Sequence, residues 1–239
     1  RTYLLGVGYN HVYDSYLSPL DYKGSTLGFT RIGERTMRRA QGRWSQMTYF
    51  DLNASHLYNP VGNATTWDGE MQFNYGQHYH VMTQPTWNFS LGGLLGAHFG
   101  GTYNTRNGNN PGQMRMAVDL SASAVAMRQF TLWKKHWTWR TQCDLPLMGA
   151  FFTPNYGQSY YEIFSKGNYD HNIVPTTLFS TPSLRQMLTI DFTLKHTTLR
   201  IGYLGDFQQA RINGLKYHTW SNLLIIGIAR KFSISKIIP

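Results

Sequence analysis

The stretch Trp87–Phe99, WNFSLGGLLGAHF, decides the fold class, because its side chains alternate between two faces with a period of two. One face is large and apolar, with Trp87, Phe89, Leu91, Leu95 and Phe99 on it. The opposite face is mostly small or polar and carries Asn88, Ser90, Gly92, Leu94, Gly96 and His98. Successive side chains of a β-strand point to opposite sides of the sheet, so this stretch predicts a strand with one apolar face.

The same alternation recurs along nearly the whole chain, most clearly in 114–124, 188–195 and 199–207. Similar segments lie at about 2–14, 25–37, 44–58, 67–83, 137–153 and 215–233. Together they predict roughly ten strands of about 12–20 residues, whereas strands of globular proteins average about five or six. Strands of this length are typical of a barrel that crosses a membrane.

The connections between the predicted strands alternate in length, as they do in outer-membrane barrels. Tight connections are expected near Arg38–Arg43, Gln84–Thr86, Trp133–His136 and His196–Thr197, and long ones near Asp14–Gly24, Asn59–Thr66, Tyr103–Gly112 and Thr153–Pro182. We therefore predict an all-β fold: one domain over 1–239, a transmembrane antiparallel up-and-down barrel of about ten strands. It has short periplasmic turns and long extracellular loops, the largest at 152–182. The alternative is a soluble barrel with an aromatic core.

The amino-acid composition argues against several other classes of protein. Charged residues make up 14% of the 239 residues, against roughly 25% in ordinary soluble domains. No stretch of about 18 apolar residues predicts a membrane-spanning helix, and the single cysteine, Cys143, excludes an internal disulfide framework. No apolar leader follows Arg1, and we expect that a leader has been removed.

Aromatic and basic residues gather near the tight connections. The expected aromatic girdle at that end is Trp44, Trp87, Trp133, Trp137 and Phe232, and Tyr13, Tyr58, Trp67, Tyr103, Phe151 and Phe152 flank the other end. The formal net charge is +10, and part of the excess forms an expected periplasmic basic rim of Arg38, Arg39, Arg43, Lys134, Lys135, Arg230 and Lys231. Such a rim suits anionic headgroups or acidic periplasmic proteins rather than nucleic acid, the alternative being ordinary solvated turns.

Charged residues on the polar faces point into the predicted lumen. They form an expected network of Arg115, Asp119, Arg140, Asp144, Asp191, Arg200 and Asp206, with Glu34, Asp51 and Lys195 also inward. A tight turn at His196–Thr197 would make Asp191 and Arg200 diagonal neighbours that form an ion pair. In so narrow a barrel these side chains predict a plugged or very narrow lumen rather than an open pore.

No catalytic motif appears, and we predict no catalytic residues, no metal site and no cofactor. His78 and His80 share a strand face, but the expected register keeps His98 away from His78, so this hairpin does not predict a metal site. The longest loop carries Tyr156, Tyr160, Tyr161 and Tyr169, which either cap the barrel or contact a partner at the cell surface.

The segment Tyr16–Gly24, YLSPLDYKG, follows a strand that begins YLLGVG at Tyr3, and together they resemble a family of uncharacterised outer-membrane barrels from Bacteroidota. The resemblance implies a Gram-negative outer membrane and a cleaved signal peptide, and it brings no assigned activity. We therefore expect a structural or accessory subunit of a larger outer-membrane complex for assembly, secretion or uptake. Its expected partners are outer-membrane lipid, lipopolysaccharide and other outer-membrane or periplasmic proteins. The alternatives are a narrow anion-preferring diffusion pore and, third, an outer-membrane hydrolase.

Overall fold

The structure, a computed structural model that describes residues 1–37, 42–194 and 197–230, is a closed antiparallel β-barrel. Ten strands form the wall: β1 (Thr2–Asp14), β2 (Tyr22–Thr36), β3 (Trp44–Tyr58), β4 (Thr65–Thr83), β5 (Trp87–Asn104), β6 (Gly112–Leu132), β7 (Lys135–Phe152), β9 (Leu184–Thr193), β10 (Thr198–Ile212) and β11 (Leu215–Ala229). A short helix α1 (Tyr160–Phe164) and a short strand β8 (Ile173–Thr177) lie between β7 and β9. No helix in the described ranges is long and apolar enough to cross a membrane.

Each strand pairs with its neighbours in the chain, and β1 closes the barrel by pairing with β11. This closing ladder runs without a break from Thr2 opposite Ala229 to Asp14 opposite Tyr217. Closure gives every wall strand two partners, so the strands that the structure describes leave no long edge of the barrel wall open for pairing with another chain. The ten-strand antiparallel barrel predicted from the alternation is therefore confirmed.

The wall has two different ends. The short-turn end carries the connections 37–43, 84–86, 133–134 and 194–197, and the loop end carries 15–21, 59–64, 105–111 and 153–172. One connection at the loop end is tight, because β10 and β11 are joined by Asn213 and Gly214 alone. Their φ angles of 54° and 74° suit the two-residue hairpin turns that favour Asn-Gly.

Three details differ from the sequence-based expectations. The segment 153–182 is not a plain loop, because it contains α1 and β8, and β8 pairs with the last residues of β7 from Met148 to Phe152. Asp191 lies directly opposite Arg200 rather than diagonal to it, because Thr193 pairs with Thr198. An extra residue at Leu147 shifts the register of β7, so Phe151 lies opposite the inward Ala117 and lines the lumen instead of the girdle.

The outer wall is apolar. Its exposed aliphatic and aromatic side chains, each 44–65% accessible, are Leu5, Val7, Leu27, Leu52, Phe73, Leu95, Phe99, Val118, Leu120, Ile190, Ile201, Leu224 and Ile226. The acidic residues of the wall strands all lie at inward positions: Asp14, Glu34, Asp51, Asp68, Glu70, Asp119, Asp144, Asp191 and Asp206. A continuous apolar surface of this extent marks a region that does not face water in the functional state.

Inward glycines let neighbouring strands approach closely, and Gly92 offers a clear test. A Cβ atom at Gly92 would lie 2.1 Å from the Gln77 carbonyl oxygen and 2.8 Å from the His78 ring, whereas one at Gly93 meets nothing nearer than 3.7 Å. We expect Gly92→Ala to destabilise the barrel by about 1–3 kcal/mol and Gly93→Ala to leave its stability nearly unchanged. Urea unfolding in detergent, followed by tryptophan fluorescence, measures both, and equal losses in the two variants would contradict this account.

Candidate functional site

The lumen is filled by inward side chains from all ten wall strands. All seven residues of the expected charge network lie at inward positions and are mostly or fully buried: Arg115, Asp119, Arg140, Asp144, Asp191, Arg200 and Asp206. The additional expected residues Asp51 and Glu34 also point inward, while Lys195 lies outside the described residues. The network is divided into several groups along the barrel axis, and Gln142 joins two of them, because it accepts a hydrogen bond from Arg140 and donates to Asp144.

Two ion pairs lie towards the short-turn end. The guanidinium of Arg200 donates two hydrogen bonds to Asp191, with Nε–Oδ1 and Nη2–Oδ2 distances of 2.6 and 2.7 Å. The two residues stand directly opposite each other on β9 and β10, not diagonally as the shorter turn would require. Arg140 pairs with Glu34 at 2.5 Å, between Nη2 and Oε1. The bidentate geometry of the contact between Arg200 and Asp191 is the strong form of an arginine–carboxylate pair.

The middle of the lumen is apolar, which differs from the polar lumen expected. A cluster of ten buried residues crosses it: Leu4, Ile32, Met47, Tyr49, Leu94, Val125, Met187, Leu204, Leu223 and Ile225. Each of these side chains is at most 4% accessible. These close-packed apolar side chains fill much of the lumen that the described residues enclose at this level.

Arg185 links the apolar cluster to the charged side chains around it. Its guanidinium contacts Asp51 at 2.9 Å through Nε and at 2.8 Å through Nη2, and Asp144 at 3.4 Å through Nη1. Its carbon Cζ lies 4.0 Å above the centre of the Tyr49 ring. Two buried carboxylates therefore share one buried guanidinium, which keeps both charges compensated.

Asp144 and Asp51 also have neutral hydrogen-bond donors. Ser123 donates to Asp144 at 2.5 Å, the side-chain amide of Gln142 donates to the same carboxylate at 2.9 and 3.1 Å, and Thr30 donates to Asp51 at 2.5 Å. These donors satisfy the carboxylate lone pairs that Arg185 does not reach.

Nearer the loop end, Arg115 and His98 organise two further groups. Arg115 lies 2.8 Å from Asp68, 3.7 Å from Asp14 and 4.3 Å from the centre of the Tyr217 ring. His98 lies between two carboxylates, 2.7 Å from Asp119 and 3.6 Å from Glu70. The Glu70 carboxylate also accepts a hydrogen bond from the Gln208 side chain.

The sequence-based network did not include Arg185, Asp68, Glu70 or His98, although the signal for them was present. Asp68 and Glu70 share the parity of Gln72 and Asn74, opposite the apolar Met71 and Phe73. Arg185 shares the parity of Asp191 but lies before Leu188, where the predicted strand began. Asp68, Glu70 and His98 lie on the polar faces of segments that were predicted as strands, and extending the segment 188–195 towards the N-terminus while its parity holds would have added Arg185.

A serine, a histidine and an aspartate meet in the lumen, but in an order unsuited to nucleophilic catalysis. Ser123 lies between the other two, with its hydroxyl 2.8 Å from His78 Nε2 while it donates to Asp144. In a catalytic triad the carboxylate orients the histidine, and the histidine accepts the serine proton. All three side chains are buried, so the arrangement fits a structural hydrogen-bond network.

A small cavity remains beside the charged groups, between the apolar cluster and the loop end. Its lining includes Glu70, His98, Asp119, Asp206 and Phe151, and about 70 Å³ of it is available to the centres of water-sized molecules. A single water molecule needs roughly 10–15 Å³ of such volume, so the cavity has room for only a few waters. It is too small to serve as a passage for a nutrient-sized solute.

The loop 153–172 covers the loop end, and α1 holds it in place. Ser159 begins α1 with a capping box: the Glu162 backbone N–H donates to the Ser159 hydroxyl, and the Ser159 backbone N–H donates to Glu162 at 2.7 Å. These hydrogen bonds lower the pKa of the Glu162 carboxyl. The box satisfies backbone groups that so short a helix leaves free.

Tyr160 takes the first of the two roles considered for the loop tyrosines and caps the barrel. Its hydroxyl donates to Gln113 at 3.1 Å or to the Met114 carbonyl at 3.0 Å, and it accepts from the Met114 N–H at 2.7 Å. Burial raises the pKa of this phenol. By contrast, Tyr156, Tyr161 and Tyr169 are 61–78% accessible.

The short-turn end carries the expected aromatic and basic residues that the structure describes. Trp44, Trp87 and Trp133 are exposed there, and Trp137 packs 4.8 Å from Phe192, measured between ring centres. Of the expected rim, Arg43 donates to the Tyr79 hydroxyl at 3.1 Å and Lys135 lies 4.7 Å from the centre of the Phe192 ring. Lys134 occupies the exposed turn and Arg230 follows β11. The expected residues Arg38, Arg39, Lys231 and Phe232 lie outside the described residues.

Replacing Arg185 tests the central ion group. We expect Arg185→Met to destabilise the barrel by about 3–5 kcal/mol, because Asp51 and Asp144 would lose their shared counter-ion while remaining buried. Arg128→Met is the matched control, since Arg128 makes an outer contact with the Trp87 ring at 5.2 Å, worth about 1 kcal/mol or less. Urea unfolding in detergent measures both variants, and a loss at Arg185 no larger than that at Arg128 would contradict the assigned role.

Tyr160→Phe tests the loop cap. The variant leaves the Met114 N–H and the Gln113 side chain without their phenol partner, at a cost of about 1 kcal/mol. We expect limited proteolysis within 153–172 to become about three- to tenfold faster, because local opening becomes easier. Tyr161→Phe removes an exposed hydroxyl and should not change the cleavage rate. Equal rates in all three proteins would show that Tyr160 does not hold the loop.

Comparison with known proteins gives a family but no activity. No curated protein shows a significant match to the chain. Among solved structures the chain is similar to the attachment invasion locus protein Ail of Yersinia pestis, with 12% identity, 95% and 97% of the two chains covered and a TM-score of 0.32. It is also similar to the transport unit of the Escherichia coli autotransporter AIDA-I, with 7% identity, coverage of 97% and 91% and a TM-score of 0.40. The β domain of the Bordetella autotransporter BrkA gives 10% identity, coverage of 97% and 100% and a TM-score of 0.40.

These structural similarities are too low to support an argument about function, and the barrel assignment above depends on the strand pairing alone. An origin in Bacteroidota, which the resemblance of the first loop implies, stays a prediction. The family comparison is decisive, because one family model matches residues 1–237. The chain belongs to the family described as Protein of unknown function (DUF3316).

Proposed function

We propose that this protein is an integral outer-membrane β-barrel of a Gram-negative bacterium. Two observations support the membrane: the apolar outer wall, and the inward position of every acidic residue in the described wall strands. An outward carboxylate in the hydrocarbon region would be destabilising, as charged substitutions on the lipid face of barrels are. The aromatic side chains at the short-turn end fit an interfacial belt.

We further propose that the barrel conducts no solute and acts as a structural or accessory subunit of a larger outer-membrane complex for assembly, secretion or uptake. The observation that carries this proposal is the ten-residue apolar cluster across the lumen. Arg185, Asp51 and Asp144 reinforce the block, because moving any of these side chains aside would separate buried opposite charges.

The ends of the barrel offer surfaces for partners. At the loop end, Tyr156, Tyr161, Tyr169, Ile173 and Phe179 are all exposed, and Phe179 is 92% accessible. Exposed aromatic residues of this kind are common anchors in protein interfaces. At the short-turn end, Arg43, Lys134 and Arg230 provide positive charge that suits an acidic periplasmic surface or anionic headgroups.

The other two candidate functions have less support. A narrow anion pore would need a hydrated path lined by unpaired cations, but the inward arginines Arg115, Arg140, Arg185 and Arg200 are all paired with carboxylates. A hydrolase would need a nucleophile and its base on an accessible surface, whereas Ser123 and His78 are buried.

Purification and electrophysiology test the proposal together. We expect extraction from native membranes in mild detergent to give a complex with at least one stoichiometric partner, identified by mass spectrometry. The isolated barrel in a planar lipid bilayer should give no conductance steps. Tyr49→Ala, which removes the large ring below Arg185, should give measurable openings, and Tyr75→Ala on the outer wall should stay silent.

Surface variants identify the partner-binding end. We expect Phe179→Ser to reduce partner recovery, while Val61→Ser, on another loop and 77% accessible, should retain it. A protein that purifies alone and gives stable anion-selective steps would overturn the accessory role and establish the pore.

A further inference from the structure

Two histidines and one aspartate meet on the outer wall near the loop end. His11 on β1 and His218 on β11 lie at outward positions of adjacent strands, because Asn10 and Tyr217 beside them face the lumen. Asp21 comes from the connection just before β2. The group is separate from the lumen, and no feature of the proposed accessory role requires it.

The three side chains present their donor atoms to one small space. The distance is 3.1 Å from His11 Nε2 to Asp21 Oδ1, 3.4 Å between the two Nε2 atoms, and 3.9 Å from His218 Nε2 to Asp21 Oδ1. Ligand atoms about 2.0–2.2 Å from a tetrahedral Zn²⁺ lie roughly 3.3–3.6 Å apart. Each observed separation is therefore within a few tenths of an ångström of the distance between two ligand atoms in such a site.

We propose that His11 Nε2, His218 Nε2 and an Asp21 carboxylate oxygen bind a divalent transition-metal ion of the zinc type. Imidazole and carboxylate ligands suit zinc and its neighbours in the first transition row, and the carboxylate offsets part of the ion's charge. Three protein ligands leave a fourth position open for water or another ligand. This composition is different from the closed four-ligand sites that serve a purely structural purpose.

Aromatic packing holds the two imidazoles in this arrangement. Trp220 stacks on His218, with ring centres 4.4 Å apart and planes 19° from parallel, and meets His11 edge-on at 5.3 Å. Tyr13 stacks on the opposite side at 5.6 Å from His218. The side chains of His11 and His218 are 16% and 19% accessible, so they are fixed yet within reach of an ion from solvent.

An adjacent groove could bind a ligand that fills the open fourth position of the metal. The groove has a volume of about 430 Å³, and its lining includes Asp21, His218, Arg211 and Lys216. The two basic side chains could hold an anionic group next to the metal. Phosphate is an anion of this kind, as free phosphate or in a lipid headgroup.

Besides the two basic residues of the groove, Lys23 is a nearby cation that opposes metal binding. Lys23 lies opposite His11 in the pairing of β1 with β2, also on the outer wall. Its positive charge repels a bound cation, and its effect depends on distance and screening. Lys23→Gln should therefore tighten metal binding, whereas a merely structural cluster predicts no such effect.

Zinc titration of the full chain in detergent micelles tests the proposal, using competition with a chromogenic chelator. We expect one Zn²⁺ per wild-type barrel and at least tenfold weaker binding by His218→Gln, because loss of even a supporting partner of a ligand costs about 10–100-fold. His171→Gln is the matched control. His171 is exposed and lies 2.5 Å from Asp170, but among the described residues this pair is not part of a group of three possible metal ligands. It should bind zinc as the wild type does.

Further measurements keep the result interpretable. Asp21→Asn changes a connection rather than a strand, so it tests the same ligand set if His218→Gln does not fold, and gel mobility with and without heating checks folding. Visible absorption of Co²⁺ added in place of Zn²⁺ should show the strong bands of a four-coordinate ion in wild type and lose them in Asp21→Asn.

Absence of stoichiometric zinc in the wild type, equal weakening by His171→Gln, or weaker binding by Lys23→Gln would overturn the proposal. Added inorganic phosphate that tightens zinc binding would support free phosphate as the fourth ligand, and an effect seen only with vesicles of phosphate-bearing lipid would support the headgroup.

Discussion

The two-residue period of the strands is the constraint on which the rest of this structure depends. Once β1 pairs with β11, each side chain of the wall is committed to one of two environments, the lumen or the outer surface. The apolar residues cover the outside, and the acidic residues of the strands must then collect inside a narrow tube. A shift of one residue in the pairing of any two strands would exchange the inward and the outward side chains. The alternation in the sequence therefore determines the register in which the barrel closes.

Confinement of the charges explains why the lumen has layers. A buried carboxylate is tolerated only when a cation and additional donors compensate it, and the arginines Arg115, Arg140, Arg185 and Arg200 provide the positive charge for the carboxylates beside them. The apolar cluster at mid-height excludes water from the groups beside it. Exclusion of water strengthens the ion pairs, and the ion pairs hold the strands that carry the apolar side chains. The closed lumen is thus a consequence of packing both kinds of side chain into one small space.

Local patterns in the sequence predict most of this wall, because strand direction and strand face are local properties. The alternation located all ten wall strands and placed Asp191 and Arg200 on the same side, even though the expected pairing of β9 with β10 was two residues out of register. Long-range placement could not be read in the same way. The pairing of Arg185 with Asp51 spans 134 positions, and the approach of His11 to His218 spans 207. The cap formed by Tyr160 depends on contacts with β6 that no period of the loop sequence encodes.

If the barrel conducts no solute, as we propose, its function must depend on the two ends and the outer wall. The groove beside His218 and Asp21 is also lined by Phe179, Ser180 and Pro182. Nearby, Asn213 and Gly214 alone join β10 to β11, and 153–172 contacts this turn: the Tyr156 N–H donates to the Asn213 carbonyl, and the Asn213 side chain donates to the His171 carbonyl. The same connection places exposed basic side chains, Arg211 and Lys216, at the level where an anionic headgroup would meet the wall. A ligand can therefore reach this groove from outside the barrel, without entering the lumen.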